Sequence, residues 1–521
     1  MAKFSSLHRK TQNLCSCFVG SVRCVASASY NFVFFHVNSF TVQLLYFLLV
    51  SLFGFFVLKA LKPRTAATFR PASLDLFFTS VSAATVSSMS TVEMEVFSDA
   101  QLLVMTVLML IGGEVFTSMV GLYFKSSKLL TPRKTEGRVN SSDLSGIEMG
   151  IVATPELQKT QSEIDLEAQR FLKHNAVKLL GLLVAAYFFA INLGGVALVL
   201  SYMSAVPNAR DLLEKKGLKT ITFALFTVVS SFSSCGFVPT NENMIVFRKN
   251  SGLLLLILPQ LLLGNTLFPP VLRLLIWALG KFVRRSEFDY LLNNTREVGY
   301  LHLLPAAHSL LLAATVFAFT VVQMVLFCSM EWNSEALSGM NGFQKFVGSL
   351  FQVVNSRHTG ESIVNLSVVA PAVLTLFVVM MYLPPYTSFL PAKYAAEESS
   401  VGEQKTRGRQ ILENVLFSQL GYLVIFVIAI CITERKSLIE DPLNFNVLNI
   451  VIEVVSAYGN VGFSTGYSCE SRLNQKGSCV DKWYGFAGKW SGQGKIILIV
   501  VMFFGRLKKF NMNGGRAWKL Q

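Results

Sequence analysis

Charge is scarce in this chain. Only 15% of its 521 residues are Asp, Glu, Lys or Arg, whereas 52% are hydrophobic and 43 are Phe. Such a balance cannot close around one soluble core without leaving a large apolar surface, so an ordinary soluble domain is excluded and a membrane protein is indicated. Histidine is also sparse: the six His are scattered, lack Cys partners and show no zinc spacing. His174, His302, His308 and His358 have no nucleophile or metal partner at a recognisable spacing, which argues against an intramembrane enzyme. No basic-aromatic module for nucleic acid is present, so the net charge of +15 speaks to membrane topology and anionic lipid heads. Residues 1–30 lack the hydrophobic core and cleavage site of a signal peptide.

What the chain does have is apolar runs of spanning length. Segments 32–61, 102–124, 176–203, 253–279, 303–327, 367–390, 415–432 and 496–504 are candidates, the last being short unless it continues through Arg506 to Phe510. Between the members of each consecutive pair lies a shorter helix-like segment, at 74–83, 221–231, 343–355 and 445–456. At roughly 1.5 Å per residue these reach only about halfway across a ~30 Å hydrocarbon core. Each is followed by a loop rich in Ser or Gly. Non-helical backbone at that depth must line water or be buried in protein, so a half-crossing helix plus such a loop reads as a re-entrant pore loop.

Aligned on their last two residues, the four loops offer Ser88-Met89, Gly236-Phe237, Gly360-Glu361 and Gly462-Phe463. One such loop alone is equally well a close helix–helix contact built from small residues. Four copies in the same context indicate an ion selectivity filter at Ser88, Gly236, Gly360 and Gly462. The expected fold is an all-α membrane protein of four span, half-helix, loop, span repeats around a central pseudo-fourfold pore. The divisions are a tail at 1–30, repeats at 31–124, 174–283, 301–394 and 411–510, linkers at 125–173, 284–300 and 395–410, and a tail at 511–521. Linker 125–173, rich in Ser, Thr, Glu and Lys, is expected to be flexible.

The stretches 85–95, 234–243, 355–361 and 457–467 together resemble the plant HKT cation transporters, relatives of the microbial Trk and Ktr systems, over about 32–510. The resemblance implies a single-chain pore in the plasma membrane, both termini cytoplasmic, with a homodimer suggested. In such families Ser at the first filter position, here Ser88, marks the sodium-selective branch, and Gly marks members that also carry potassium. The implied function is passive, electrochemically driven sodium transport, with Na+ held in passage at Ser88, Gly236, Gly360 and Gly462 and no cofactor. A sodium/potassium-permeable transporter or a cation-coupled secondary carrier is the competing reading. A chemical reason accompanies the resemblance: Gly turns its carbonyl through backbone regions costly for a residue with a Cβ, so Ser88 should perturb the carbonyl ring on its side.

Charges near the loops are candidates for pore electrostatics. Glu93, Glu95, Asp99, Glu242, Glu361 and Glu470 lie just beyond a loop, and a ring of acids at the mouth would concentrate cations, with ordinary salt bridging as the alternative. Glu361 is the leading one because it directly follows Gly360. Arg357 and His358 are expected to pair with carboxylates and brace the third loop. Arg506 interrupts the last apolar run; the resemblance places it on the pore side below the filter as an electrostatic barrier, and a snorkelling Arg beside Lys508 and Lys509 is the competing reading. Glu114, Asn192, Gln260 and Asn265 are expected to join helices, and Gly112-Gly113, Gly194-Gly195, Pro269-Pro270 and Pro384-Pro385 to permit close approach, bends or ends. Cys469 and Cys479 are candidates for a disulfide.

Overall fold

A computed structural model describes residues 39–65, 69–130, 161–387, 419–470 and 481–511. The tail at 1–30, the central part of the first linker, the linker at 395–410, residues 512–521 and Cys479 lie outside the described residues. Apart from one isolated bridge between Tyr467 and Lys482, the regular structure described is helical.

The first span of each repeat is a continuous helix: α1 (Ser39–Ala60), α5 (Gln161–Ala205), α9 (Ala306–Glu331) and α12 (Gln419–Thr433). Three of these, α1, α5 and α9, are long and apolar enough to cross a bilayer individually. Their outward faces remain apolar. On α1, Leu49, Phe53 and Phe56 recur at helical spacing and are 56%, 62% and 63% exposed, a stripe suited to lipid. Helix α5 begins at Gln161, inside the expected flexible linker, and residues Ser286–Asn293 and Thr295–Val298 form short helices where a linker was expected. Phe288 and Leu291 are buried there, and that apolar face packs on α5.

The half-helices are α2 (Ser73–Ala84), α6 (Thr220–Phe232), α10 (Gly342–His358) and α13 (Val447–Gly459). All four match the expected ends within about three residues, and α10 runs on to two residues before Gly360. Its start is set by a capping box in which Asn341 accepts from the Gln344 amide and Gln344 from the Asn341 amide.

The second spans of the first two repeats bend or break at the glycine and proline pairs expected to allow it. In the first repeat α3 (Asp99–Gly112) turns by 54° into α4 (Glu114–Leu130), and in the second α7 (Ser251–Leu263) turns by 81° into α8 (Phe268–Val283). The breaks fall at Gly113 and just before Pro269-Pro270, which start α8 because proline lacks the amide that a first turn leaves unpaired. In the third repeat α11 (Pro371–Tyr382) ends before Pro384-Pro385. Only α14 (Gly492–Asn511) is unbroken, and it continues through Arg506. Gly194-Gly195 does not break α5; Gly195 gives room to Gln260.

Packing closes these hairpins into a ring. Helix α3 packs on α2 and α6, α7 on α6 and α10, α11 on α10 and α13, and α14 on α13 and back on α2. Each second span thus touches the half-helix of its own repeat and that of the next. Backbone-to-backbone contact is reached through glycines: a Cβ at Gly112 would lie 2.0 Å from the Ala84 carbonyl oxygen, at Gly264 1.8 Å from that of Phe232, and at Gly505 2.0 Å from that of Tyr458. The C-terminal ends of three half-helices are seated against second spans in this way, and the loops that follow converge.

Candidate functional site

After α2, α6 and α13 the chain makes the same turn. The Ser82, Ser230 and Ser456 carbonyls accept from the amides of Ser87, Cys235 and Val461 at 2.8, 2.9 and 3.0 Å. The intervening residue adopts the left-handed conformation, Val86 at φ 52°, Ser234 at 60° and Asn460 at 51°. This is a Schellman ending built without glycine. A β-branched Val in that conformation is an outlier, and such strain costs on the order of 1–3 kcal/mol, which the surrounding packing must hold. Two residues further on, Ser88, Gly236 and Gly462 also have positive φ, at 51°, 97° and 102°. The Ser230 and Ser456 hydroxyls accept from the Gly236 and Gly462 amides at 3.1 and 3.0 Å, while the Ser82 hydroxyl makes no such bond.

The third loop is built differently. Thr359 is extended, Gly360 has no positive φ, and the Gly360 carbonyl accepts from Asn243 Nδ2 at 3.2 Å. Ser88 shares the positive φ of Gly236 and Gly462 but at a smaller angle, as expected of a residue with a Cβ, and Gly360 departs from all three in having no positive φ. Gly360 is needed for space instead: a Cβ there would lie 2.6 Å from Gly462 C.

The four loops meet. A Cβ on Gly236 would lie 2.3 Å from the Gly360 nitrogen, and one on Gly462 would lie 2.1 Å from Ser88 Oγ. Ser88, Gly236, Gly360 and Gly462 together line one open depression, rimmed by Asn241, Glu242 and Tyr484. The Ser88 hydroxymethyl sits against Gly462, at the junction of the fourth and first loops.

The acids do not form a ring at this mouth. Glu361 does not line the depression; it is fully buried behind the loops, where Ser231 Oγ donates to it at 2.5 Å and ties the third repeat to the second. Glu453 of α13, not singled out from sequence, is buried in the same manner and accepts from the Ala487 amide at 2.9 Å. Glu95 and Glu242 are bridged by Lys216 at 2.7 and 2.5 Å. Burial pulls the Lys216 ammonium down, but its hydrogen bonds and attraction to the two carboxylates outweigh that and raise it, so it stays charged. Asp99 pairs with Arg64 and Lys219, and Glu93 with Lys482. Salt bridging accounts for these acids.

The other expected contacts are also redirected. Among the described residues Arg357 meets no carboxylate; its Nη2 donates to the Pro384 and Pro385 carbonyls at 2.9 and 3.2 Å, and its guanidinium lies over Phe319. His358 is held by Thr266 Oγ1 at 2.9 Å and by the Val354 carbonyl at 2.8 Å. Asn192 bonds its own helix at Phe188, not a neighbour, and Asn265 reaches the His358 carbonyl. Arg506 is 1% exposed, not snorkelling: it donates to the Gly112 carbonyl at the α3–α4 bend and lies 5.6 Å over Phe47. Because Gly505 abuts the end of α13, Arg506 sits just below the four loops. Cys469 is disulfide-bonded.

Asn243 was within a stretch quoted from sequence but carried no periodic signal. Its left-handed φ of 56° lets its side chain reach both the Gly360 carbonyl and, at 3.2 Å, the Ser362 amide.

Residues 154–512 match the family described as TrkH, cation transport protein. Cation transporter HKT1;3 of Oryza sativa subsp. japonica is 49% identical over 529 residues, covering 100% of this chain and 96% of the relative. Sodium transporter HKT1 of Arabidopsis thaliana is 50% identical over 472 residues, covering 89% of this chain and 91% of the relative. Among solved structures, the potassium transporter TrkH from Vibrio parahaemolyticus aligns over 92% of this chain and 85% of that one, at 13% identity and a TM-score of 0.49.

Proposed function

The chain belongs to the TrkH family of cation transport proteins, within its plant HKT members, and from that premise we propose that it passes sodium down its electrochemical gradient through the constriction at Ser88, Gly236, Gly360 and Gly462. It is a multi-pass membrane cation transporter and not an enzyme. The proposal of sodium rests on one observation above the others: Ser88 enters the ring with a positive φ, smaller than that of Gly236 and Gly462, and places a hydroxymethyl group against Gly462. A side chain there takes up space on that side of the ring, and on a size criterion this favours the smaller ion. The relative named a sodium transporter supports the same reading. The plasma membrane, cytoplasmic termini and a homodimer belong to this proposal, with Lys281, Arg284 and Arg285 at the end of α8 marking the cytoplasmic side.

The test is the reversal potential while sodium and potassium are varied independently. The native chain follows the sodium Nernst potential. Ser88→Gly raises potassium permeation relative to sodium by about fivefold, the effect of roughly 1 kcal/mol between the two ions. An unchanged reversal potential would remove Ser88 from selectivity, and electroneutral exchange in liposomes would remove the passive conduit altogether.

Arg506 serves in this reading as a barrier below the filter. A buried cation close to the ion path raises the energy of a passing cation and holds flux low. Arg506→Gln gives several-fold more current or altered rectification at equal surface expression. No change in either measurement would restrict Arg506 to bracing the Gly112 bend.

A further inference from the structure

At the rim of the depression one lysine stands between acids from two repeats. The short helix Pro207–Lys215 is anchored by the buried Ala209 and Leu213 and stops before Gly217, whose φ of 66° lets the Leu218 amide donate back to the Leu213 carbonyl at 3.0 Å. That turn carries Lys216. Its main-chain carbonyl accepts from Arg64 Nη1 at 3.5 Å, and its Nζ donates to Glu95 Oε1 at 2.7 Å and to Glu242 Oε2 at 2.5 Å. Arg64 and Lys219 pair with Asp99 instead. Glu95 is itself locked to the second loop: its amide donates to Asn241 Oδ1 at 2.9 Å, and its Oε1 accepts from the Asn241 amide at 3.1 Å. Asn241 and Glu242 line the depression together with Ser88, Gly236, Gly360 and Gly462. Two carboxylate oxygens therefore converge, beside the entrance, on one point that an ammonium nitrogen fills.

We infer that Lys216 is a specificity-determining residue that keeps divalent cations out of this entrance, occupying as a tethered monovalent cation the place where one would bind. This rests on the reading of the four loops as the ion path. Calcium takes carboxylate oxygens at about 2.3–2.6 Å, close to the distances at which the two glutamates hold Nζ. Without Lys216 they would be two like charges facing one gap, an arrangement that a divalent cation relieves by entering it. An ion held there, on the rim shared with Ser88 and Gly236, would repel each sodium ion that approaches. Lys216 satisfies both carboxylates with a single charge that cannot dissociate from the chain. The site is closed to divalents, and the remaining negative charge still favours monovalent cations. With the end of α8 cytoplasmic, the entrance faces outward.

The experiment measures inward sodium current of the full-length protein while external calcium is raised from none to about 10 mM, each variant referred to its own calcium-free current. Lys216→Met acquires a calcium block with half-effect at about 1 mM, the weak end of extracellular calcium sites, and at least about tenfold below the concentration the native chain needs. Lys216→Arg, which keeps the charge, behaves as the native chain. Adding Glu242→Gln to Lys216→Met removes the block, because one of the two carboxylates is gone. Equal calcium sensitivity of Lys216→Met and the native chain overturns the proposal and leaves the conduit standing, since a lysine that only staples two loops would alter current without creating a block. A block that survives Glu242→Gln overturns it as well. A native reversal potential that ignores sodium overturns the conduit itself. Should Lys216→Met fail to reach the surface, Lys216→Gln decides by the same criterion, and failure of both assigns Lys216 to folding alone and overturns the proposal.

Discussion

Gly236→Ser is expected to abolish cation current at undiminished surface density. Two independent costs coincide at this position. Its φ of 97° lies well beyond the left-handed basin that side-chain-bearing residues visit, and a Cβ there would stand 2.3 Å from the Gly360 nitrogen and 2.9 Å from its Cα. The obstacle is backbone, so no rotamer relieves it. The second and third loops must part, and the opening they form with the other two loses its shape. Each 1.4 kcal/mol or so added to the conduction barrier lowers flux tenfold, and misplacement of a whole loop exceeds that. Ser88 shows why the same residue is tolerated one loop away: its φ of 51° lies inside the left-handed basin, where the penalty is roughly 1–2 kcal/mol, and its neighbour Gly462 has no side chain to oppose it. Current from Gly236→Ser within a factor of about two of the native protein would show that the loops do not meet as described.

Gly264→Ala is expected to prevent accumulation of folded protein. A single added methyl would fall 1.8 Å from the Phe232 carbonyl oxygen and 2.6 Å from its carbon, at the end of α6 where the second half-helix is seated against α7. Overpacking ordinarily costs about 1–3 kcal/mol because side chains give way. Here the neighbour is the main chain of a buried helix end, so the cost belongs with the exceptional substitutions above about 4 kcal/mol. The control is Gly194→Ala on α5, where nothing lies within 4 Å of the added methyl. Removing a mid-helix glycine there should leave the melting temperature unchanged or raise it, by roughly 0.5–1 kcal/mol of helix stability. Surface labelling and detergent melting of the two variants side by side provide the measurement, and comparable Tm values would contradict the packing at Gly264.

The two positions also show how unevenly the architecture was legible. That small residues belong at 88, 236, 360 and 462 could be read from four recurrences. The pore helices were found nearly to the residue because a 12- or 13-residue apolar segment has only one use between two longer ones. The size of the turns in the second spans escaped detection, since α3 with α4 and α7 with α8 read as single apolar runs and hydropathy does not register direction. Gly113 and Pro269 were visible as bend residues. The angles of 54° and 81° depend on the half-helix ends against which those spans are pressed.

Side-chain partners fared worse than positions. Glu361 adjoins Gly360 in sequence, which suggested a place at the mouth, but Gly360 lacks the positive φ of its counterparts and the next side chain turns back toward Ser231. Arg357 was given carboxylates and found proline carbonyls, because Pro384-Pro385 ends α11 and supplies acceptors beside a half-helix from the same repeat. Arg506 meets the Gly112 carbonyl across 394 residues of chain.

By itself the sequence determined that this chain lives in a membrane, that it alternates spans with half-spans, and that four loops poor in side chains follow the half-spans. These are local properties: hydrophobic length and the absence of a Cβ act wherever the chain happens to lie. Only the tertiary structure decided that the third loop departs from the backbone of the others, that Glu361 stays behind the constriction, and that Arg506 is buried beneath it against the Gly112 carbonyl. In a non-helical loop the direction of a side chain changes with each φ, and the partner of a buried charge is set by ring closure between segments hundreds of residues apart. Neither has a period that a sequence can display.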